Sequence, residues 1–238
     1  AEGLVSWLIT SSDISIYSDG LRLWREDSSL IYGDFFLKLN EQPHEDYLSL
    51  ALGLQDVLFQ DAVKFVPYYL ISKDLYSWLS HSLTAGSVNN GIYYGYGSVE
   101  TDSAQNSFTS SLFLQSKNGI VQFEPEWPYI EELEADIFLQ NGQLDINAKH
   151  AMIAGTPLDN LKAYLPEADT GKANFLTLTA DALLTKELVD YWLLESPIAT
   201  NTKMIMDQLT VNTAAHTSIK LEIPVTKPEG SDKTQDIA

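Results

Sequence analysis

LEADIFLQ-NG-QLDINAKH, the stretch Leu133–His150, predicts a β-hairpin. Asn141-Gly142 is a dipeptide favoured in a two-residue type I′ turn, because both central residues of that turn need a positive φ. With this loop, the apolar cross-strand pairs are Leu139 with Leu144, Ile137 with Ile146, and Ala135 with Ala148; Gln140 faces Gln143 beside the turn. Asp136 with Asn147 and Phe138 with Asp145 then share the opposite face. The hairpin is apolar on one side and mostly polar on the other.

The same one-sided alternation recurs along the chain. It appears in Leu48-Leu50-Leu52-Leu54, in Leu176-Leu178-Ala180 and in Ile219-Leu221-Ile223-Val225. Alternation with a period of two is typical of antiparallel strands that bury one face. We therefore expect a mainly β (α+β) fold, in which a long, antiparallel, strongly curved sheet forms a groove and a few short amphipathic helices lie at its rim or over an opening.

Short apolar runs separated by turn residues predict a meander in the N-terminal third. The expected strands there are Leu4–Ile9, Ile14–Tyr17, Leu21–Trp24, Leu30–Tyr32, Phe35–Leu39 and Tyr47–Leu54, with turns at Ser18–Gly20 and Asn40–Pro43. Further strands are expected at Gly91–Val99, Ser107–Gln115, Gly119–Phe123, Ala173–Ala180, Met204–Thr210 and Thr217–Val225.

Helical periods interrupt the strands in two places. The first has a short helix within Asp61–Leu70 that ends near Val66-Pro67, and a second helix that is capped by Ser72 and ended by Gly86. The second has a helix over Leu158–Leu165, ended by Pro166, and another over Thr185–Leu194. We find no convincing linker within residues 1–225, which we predict to form a single unit, and the polar residues 226–238 are expected to be a flexible tail.

Composition narrows the possible functions. The 238-residue chain carries 33 acidic and 14 basic residues, for a formal net charge of −19. Such a charge argues against nucleic acid or an anionic membrane surface as a partner. The absence of cysteine excludes disulfides, thiolate metal sites and cysteine nucleophiles. No apolar run approaches the roughly 20 residues that span a bilayer. The start, AEGLVSWLIT, resembles no signal peptide, so we interpret the chain as a mature or excised piece.

The candidates for catalysis are weak. Four glutamates, Glu124, Glu126, Glu131 and Glu132, surround Trp127, but clustered carboxylates are expected in an acidic chain. The histidines His44, His81, His150 and His216 lack metal-ligand spacing, and no G-x-S-x-G elbow is present. Gly95-Tyr96-Gly97 lacks the third glycine of a nucleotide fingerprint. Tyr93, Tyr94 and Tyr96 could form a ligand platform, although packing is the commoner role. We expect no enzyme, no metal and no cofactor.

The middle and C-terminal parts resemble a known family. The run Tyr76–Gly91 (YSWLSHSLTAGSVNNG) is similar to the Trp-Leu … Leu … Gly … Val … Gly pattern of YhdP-like proteins, relatives of AsmA and TamB. Gly119–Pro128 (GIVQFEPEWP) resembles their strand that ends in Trp-Pro, and the Leu133 hairpin, Gly155 and Glu195–Ile198 continue the order. The resemblance covers roughly residues 45–225; residues 1–44 match in strand character only, and Pro157 departs from the pattern.

The resemblance implies a function. YhdP-like proteins are anchored in the inner membrane of Gram-negative bacteria, extend a groove-shaped β structure across the periplasm, and are implicated in phospholipid transport toward the outer membrane. This chain would be one soluble periplasmic segment whose partners are phospholipid acyl chains, since one-sided apolar strands can shelter them. The alternative is a non-catalytic β-rich scaffold, or a protein- or glycan-binding module, with a closed core.

Two sets of residues follow from this reading. The expected lining of the lipid groove is Ile137, Leu139, Leu144, Ile146, Leu176, Leu178, Leu221 and Ile223. The expected helix contacts to the groove are Leu75, Trp78, Leu79, Leu83, Leu188, Tyr191 and Trp192, because amphipathic helices need an apolar surface to cover.

Overall fold

A computed structural model describes residues 1–24, 30–41, 46–65, 73–98, 108–122, 127–167, 175–195 and 214–224. Its strands are β1 (Glu2–Ile9), β2 (Asp13–Trp24), β3 (Leu30–Asn40), β4 (Tyr47–Leu58), β5 (Leu83–Ser98), β6 (Thr109–Val121), β7 (Ile130–Gln140), β8 (Gln143–Ile153), β9 (Thr156–Leu165), β10 (Phe175–Leu184) and β11 (Ala215–Pro224). Its helices are α1 (Phe59–Ala62), followed by a 3₁₀ turn (Val63–Phe65), α2 (Lys73–Ser82) and α3 (Lys186–Glu195).

The strands form one sheet in the order of the chain. In the described residues the order is β1 to β11 without a crossover, and every neighbouring pair is antiparallel. The sheet is curved, because side chains from strands as distant as β3 and β10 converge on one cavity. The mainly β, antiparallel, curved fold expected from the sequence is confirmed.

The hairpin that decided the fold has the predicted register. Gln140 faces Gln143, Leu139 faces Leu144, Ile137 faces Ile146, and Ala135 faces Ala148. Asn141 and Gly142 have φ values of 49° and 89°, as a type I′ turn requires. The Asn141 N–H donates to the Ser110 carbonyl at 3.1 Å, and Asn141 Oδ1 accepts from the Ser110 N–H at 3.0 Å. The turn is therefore attached to β6 as well as joining β7 to β8.

One row of directly paired residues crosses nine strands on the apolar face. From β3 to β11 the row is Ile31, Leu54, Gly91, Leu114, Ile137, Ile146, Ala163, Leu178 and Leu221. All of its members are apolar, and directly opposed residues share a face of the sheet. We call this face the inner face, and the other the outer face.

Two hydrophobic clusters lie on the inner face. The smaller, around Ile31, Leu54 and Phe59, joins β3, β4, β5 and α1. The larger extends over β6 to β11 and includes Leu188 of α3. Leu83, the first residue of β5, packs against both clusters. The inner face is thus continuous between the two halves of the sheet.

The turn expected at Ser18–Gly20 is wrong, because these residues lie inside β2. The register of β2 against β3 shifts between Ser18 and Leu21, so the chain forms a β-bulge where Gly20 adopts a φ of 73°. Ser18 Oγ donates to the Leu4 carbonyl at 2.8 Å, and the Gly20 N–H donates to Asp34 Oδ1 at 2.6 Å. These bonds hold the bulge, and Ile14–Tyr17 and Leu21–Trp24 form one strand.

The helix expected over Leu158–Leu165 is also wrong, because this segment is strand β9. The buried residues Leu158, Leu161, Ala163 and Leu165 begin with a helix-like spacing of three. That spacing arises from an extra residue: Asn160 has a φ of 52°, and the register against β10 shifts there. The bulge returns Leu161 to the inner face, and Pro157 lies at the start of the strand, where proline is tolerated.

The second helix ends before the predicted residue. Helix α2 ends at Ser82, and Gly86 lies within β5 with a φ of 112°. A Cβ at Gly86 would lie 2.7 Å from Gly119 Cα, so the close approach of β5 and β6 requires glycine there. The first predicted helix begins earlier than expected, since α1 starts at Phe59; a 3₁₀ turn follows α1 to Phe65, and residues 66–70 lie outside the described residues.

Other predictions agree with the structure or lie beyond it. Helix α3 falls where Thr185–Leu194 was predicted, and Thr185 Oγ1 accepts from the Leu188 N–H at 3.2 Å as an N-terminal cap. The expected strand over Met204–Thr210 and the expected tail over residues 226–238 lie outside the described residues.

Ser116 supports another bulge, between β6 and β7. Its buried Oγ accepts from the Ala135 N–H at 2.8 Å and lies 3.3 Å from the Leu133 and Ala135 carbonyl oxygens. We expect Ser116→Ala to lower the free energy of unfolding by about 1–3 kcal/mol, because the buried amide loses its acceptor. Chemical denaturation would measure this, with Ser111→Ala, half-buried on the same strand, as the control. Equal effects of the two variants would contradict the role given to Ser116.

Candidate functional site

The inner face encloses an apolar cavity of about 150 Å³, which we call the main cavity. Every strand from β3 to β10 contributes to its wall, together with α1, the 3₁₀ turn and α2. Among the described residues that line it, none is charged, and hydroxyl groups come only from Tyr93 and Ser110. An apolar cavity of this order stays dry and accepts apolar guests. The chemistry available here is hydrophobic binding.

Helices α1 and α2 cover part of this cavity. Phe59 and Ala62 of α1 and Trp78 and Leu79 of α2 line it. The nearby charge of Asp61 is paired, since its carboxylate lies 2.7 Å from Lys64 Nζ. Phe59 is almost fully buried, whereas Trp78 and Leu79 are half-buried. Helix α2 therefore forms the more accessible part of the cover.

A second, smaller apolar cavity of about 40 Å³ lies toward the β11 edge. Trp127 and Pro128 line it together with residues from every strand from β7 to β11. Gln122 Nε2 donates to the Trp127 carbonyl at 3.1 Å and helps to hold this segment in place. Leu178 belongs to the walls of both cavities. The two cavities are therefore neighbours along the inner face.

The residues that were predicted to line a groove lie on the inner face of the sheet. Ile137, Leu139, Leu144, Ile146 and Leu178 line the main cavity, and Leu178, Leu221 and Ile223 line the smaller one. Leu176 is buried in the same hydrophobic cluster.

The predicted helix contacts have mixed positions. Trp78 and Leu79 line the main cavity, and Leu188 and Tyr191 pack in the larger cluster. Leu83 also lines the main cavity, but it does so as the first residue of β5, so its assignment to a helix was wrong. The side chains of Leu75 and Trp192 lie outside the described part of the structure.

Sequence reasoning missed the contribution of the N-terminal strands to the wall. Ile31 of β3, and Leu52 and Leu54 of β4, line the main cavity beside Tyr93. The alternation of Leu48 to Leu54 was visible in the sequence. The sequence does not show which strands face β3 and β4 across the cavity, because only the curvature of the sheet brings β3 opposite the later strands.

The inner face is not covered equally at its two ends. Leu178 of β10 is 6% exposed, whereas Trp7 and Ile9 of β1 are 69% and 67% exposed. Trp7 shares the inner face, because it pairs with Ile16, which pairs with Leu37, which pairs with Leu48. The apolar surface is thus filled over the C-terminal strands and open to solvent over the N-terminal ones.

The outer face carries polar side chains with ordinary structural partners. Hydrogen bonds from Lys149 and then Gln115 hold the pKa of Asp136 below its usual value. Hydrogen bonds from Ser218 and then Asn160 do the same for the pKa of Asp181. These bonds link neighbouring strands.

The suspected carboxylate cluster has no catalytic geometry among the described residues. Glu132 lies 3.1 Å from His150 Nε2 in an exposed pair, while Glu124 and Glu126 lie outside the described residues. Within the described chain, no group of three or more His, Asp or Glu side chains could hold a metal ion.

Truncation of Trp78 tests whether α2 covers the main cavity. A fully buried tryptophan would cost about 3–5 kcal/mol on truncation to alanine, but Trp78 is half-buried. We therefore expect Trp78→Ala to lower the free energy of unfolding by about 1–2 kcal/mol and to weaken binding of an apolar guest. Denaturant titration and binding of an apolar fluorescent probe would measure the two effects. Trp24→Ala, at an exposed position of β2, is the matched control and should change neither.

Comparison with known proteins identifies the class that this fold and cavity represent. The family model described as YhdP protein matches residues 1–235, so the chain belongs to the YhdP family. One curated relative is the intermembrane phospholipid transporter YhdP of Escherichia coli (strain K12), which is 21% identical over 225 residues. The match covers 94% of this chain and 17% of the relative, so the chain spans about a sixth of that protein's length.

Two further observations concern solved structures and membrane crossing. No solved structure matches the chain. Among the helices in the described ranges, none has both the length and the apolar character that a membrane crossing requires.

Proposed function

We propose that this chain is a segment of a lipid-transfer protein that shelters phospholipid acyl chains on its inner face. The observation that carries the proposal is the main cavity, which eight strands and two helices enclose without a charged residue in the described part of its wall. Each methylene group moved from water to such a wall contributes about 0.8 kcal/mol. Family membership and the name of the curated relative support the same activity.

The charge distribution favours recognition of acyl chains over recognition of headgroups. The net charge of −19 repels anionic headgroups, and no lysine or arginine lines either cavity in the described chain. A phosphate group inside would lack a cationic partner and would bear a large desolvation cost. The headgroup therefore stays in water at the open side, while the acyl chains lie against the inner face.

The open N-terminal strands give such a lipid a route of entry. Trp7 and Ile9 expose apolar surface on the same face as the main cavity. An acyl chain can move along this face without leaving an apolar surface, which lowers the barrier to transfer. No reacting group is needed for such movement, so we propose a transport role and no catalysis.

We also propose a place for the segment in the cell. A relative that transports phospholipids between membranes acts where two membranes face each other. We therefore propose that residues 1–225 work as one unit in the periplasm, within a longer protein anchored in the inner membrane, on lipids that pass between the inner and outer membranes.

One observation favours a second function. Leu144, Ile146, Leu165 and Leu178 are all buried, so the C-terminal half of the inner face is packed by protein side chains. A closed core of this kind is typical of a scaffold or of a module that binds protein or glycan at its surface. The two functions differ in whether the core opens for a lipid.

The lipid content of the purified chain distinguishes the transport function from the scaffold function. We expect the purified chain to carry phospholipid, detected by native mass spectrometry and by organic extraction, and to exchange it with vesicles after delipidation. Ordinary binding to an exposed surface is controlled by Leu8→Ser, which removes an exposed apolar side chain from the outer face of β1 and leaves the main cavity unchanged. A protein that carries no lipid and exchanges none would support the scaffold function and refute the transport proposal.

A further inference from the structure

Three side chains line both cavities. Ile130, Leu161 and Leu178 line the main cavity on one side and the smaller cavity on the other. Each is almost fully buried, and they come from β7, β9 and β10. The boundary that the two cavities share is therefore formed by aliphatic side chains. Aliphatic side chains can change rotamer, whereas a strand would block the passage permanently.

The smaller cavity has the surface of an apolar subsite. Apart from Thr179 and the indole of Trp127, its described lining is aliphatic or proline. Its volume of about 40 Å³ is room for about one or two groups the size of a water molecule or a methylene. Water has few polar partners there, so the space is suited to carbon rather than to solvent.

From this arrangement we infer that the smaller cavity is a second subsite for the methyl end of an acyl chain, entered from the main cavity past Ile130, Leu161 and Leu178. The inference rests on the proposed lipid binding and adds a specificity to it: chains long enough to pass these three residues gain affinity, and shorter chains do not reach them. Leu161 determines the width of the passage, since it lies between the other two in the order of the strands.

Ala180 offers a way to fill the subsite without touching the passage. It lines the smaller cavity and not the main one. Ala180→Leu places three more carbon atoms in that space. Because each buried methylene contributes about fourfold in affinity, we expect about a 4- to 16-fold weaker binding of long chains and no change for short ones.

The experiment is a titration with monoacyl phosphatidylcholines of increasing saturated chain length, read by displacement of a fluorescent fatty acid. In the unsubstituted chain, affinity should rise with length until the subsite is filled. Ala180→Leu should stop that rise one or two carbon atoms earlier. Leu161→Ala, which widens the passage, should raise the association rate of long chains more than that of short chains.

Leu133→Ala is the matched control for Leu161→Ala. Leu133 is equally buried and lines the main cavity but not the smaller one, so its truncation should affect all chain lengths alike. Circular dichroism and thermal melting establish that each variant is folded. If the length dependence is the same in the unsubstituted chain and in both Ala180→Leu and Leu161→Ala, the subsite is refuted while lipid binding stands. If the unsubstituted chain binds no monoacyl lipid, the proposed function itself fails.

Discussion

Ile146→Asp is expected to abolish lipid binding and to lower the free energy of unfolding by about 3–5 kcal/mol at neutral pH. Ile146 is 9% exposed and lines the main cavity beside the central residue, Ile137, of the row that crosses the sheet. A carboxylate there loses its hydration without gaining a cation, since the described wall carries none. The same charge stands where an acyl chain would lie. Thermal melting and lipid loading of the one variant measure both effects.

The pH dependence of this variant has a definite sign. Burial raises the pKa of the introduced carboxyl group above its value in the unfolded chain. The folded state then binds the proton more tightly, so the loss of stability shrinks as the pH falls and the group becomes neutral. We expect lipid binding to recover partly over the same pH range. A loss of stability that does not change with pH would show that the introduced carboxylate is exposed to solvent in the folded state.

Ile92→Asp is the control for the introduced charge. Ile92 lies on the outer face of β5 and is 56% exposed, so the same substitution adds the same charge without burying it. Its melting temperature and lipid loading should stay near those of the unsubstituted chain. If Ile146→Asp unfolds the domain while the control stays folded, the closed-core function gains support. A folded Ile146→Asp protein with undiminished loading would remove this part of the inner face from the lipid path.

Leu188→Ala, in α3, is expected to be strongly destabilising. Leu188 is 1% exposed and belongs to the larger cluster, so the substitution leaves a void in a packed region. Leu→Ala changes at such positions cost about 3–5 kcal/mol. For a domain of this size the melting temperature should fall by roughly 6–20 °C. Lipid loading per folded molecule should persist, since Leu188 lines neither cavity.

Leu183→Ala removes the same atoms from an exposed position. Leu183 lies on β10, a few residues before α3, and is 41% exposed. Its truncation should lower the free energy of unfolding by less than about 1 kcal/mol. Similar losses in the two variants would mean that α3 does not pack on the sheet in solution.

The sequence predicted well where one local signal determined the backbone. Asn141-Gly142 specified both the turn and the pairing of β7 with β8, because a two-residue loop leaves a single register. The alternating leucines of β4 and β10 identified the inner face, because alternation with a period of two places all of these leucines on the same face of the sheet.

Bulges explain two of the errors. At Asn160 one extra residue shifts the alternation of β9, so the apolar spacing imitates a helix. At Gly20 a residue with positive φ lies within a strand, although Asp-Gly is also a signal for a turn. In each case tertiary pairing with the next strand decides between two local structures, and a single sequence does not contain that pairing.

The apolar character of the site was predictable from the sequence, but the arrangement of the side chains around the two cavities was not. Apolar residues on β7, β8 and β10 were expected on one face, and they lie there. The three side chains that line both cavities were not expected, because Ile130, Leu161 and Leu178 come from three strands whose pairing a single sequence does not contain. Leu161 was also assigned to a helix, which hid its position on the inner face.

The uninterrupted strand order has a consequence for assembly and for evolution. Each strand pairs with the strand made just before it, so the sheet can grow from the N-terminus as the chain emerges, and no early strand waits for a distant partner. For the same reason, a duplicated or deleted hairpin keeps the direction and facing of all remaining strands, whereas a single lost strand reverses them. Lengthening such a sheet by pairs of strands extends its apolar face without redesigning what is already built, much as repeats are added to a solenoid.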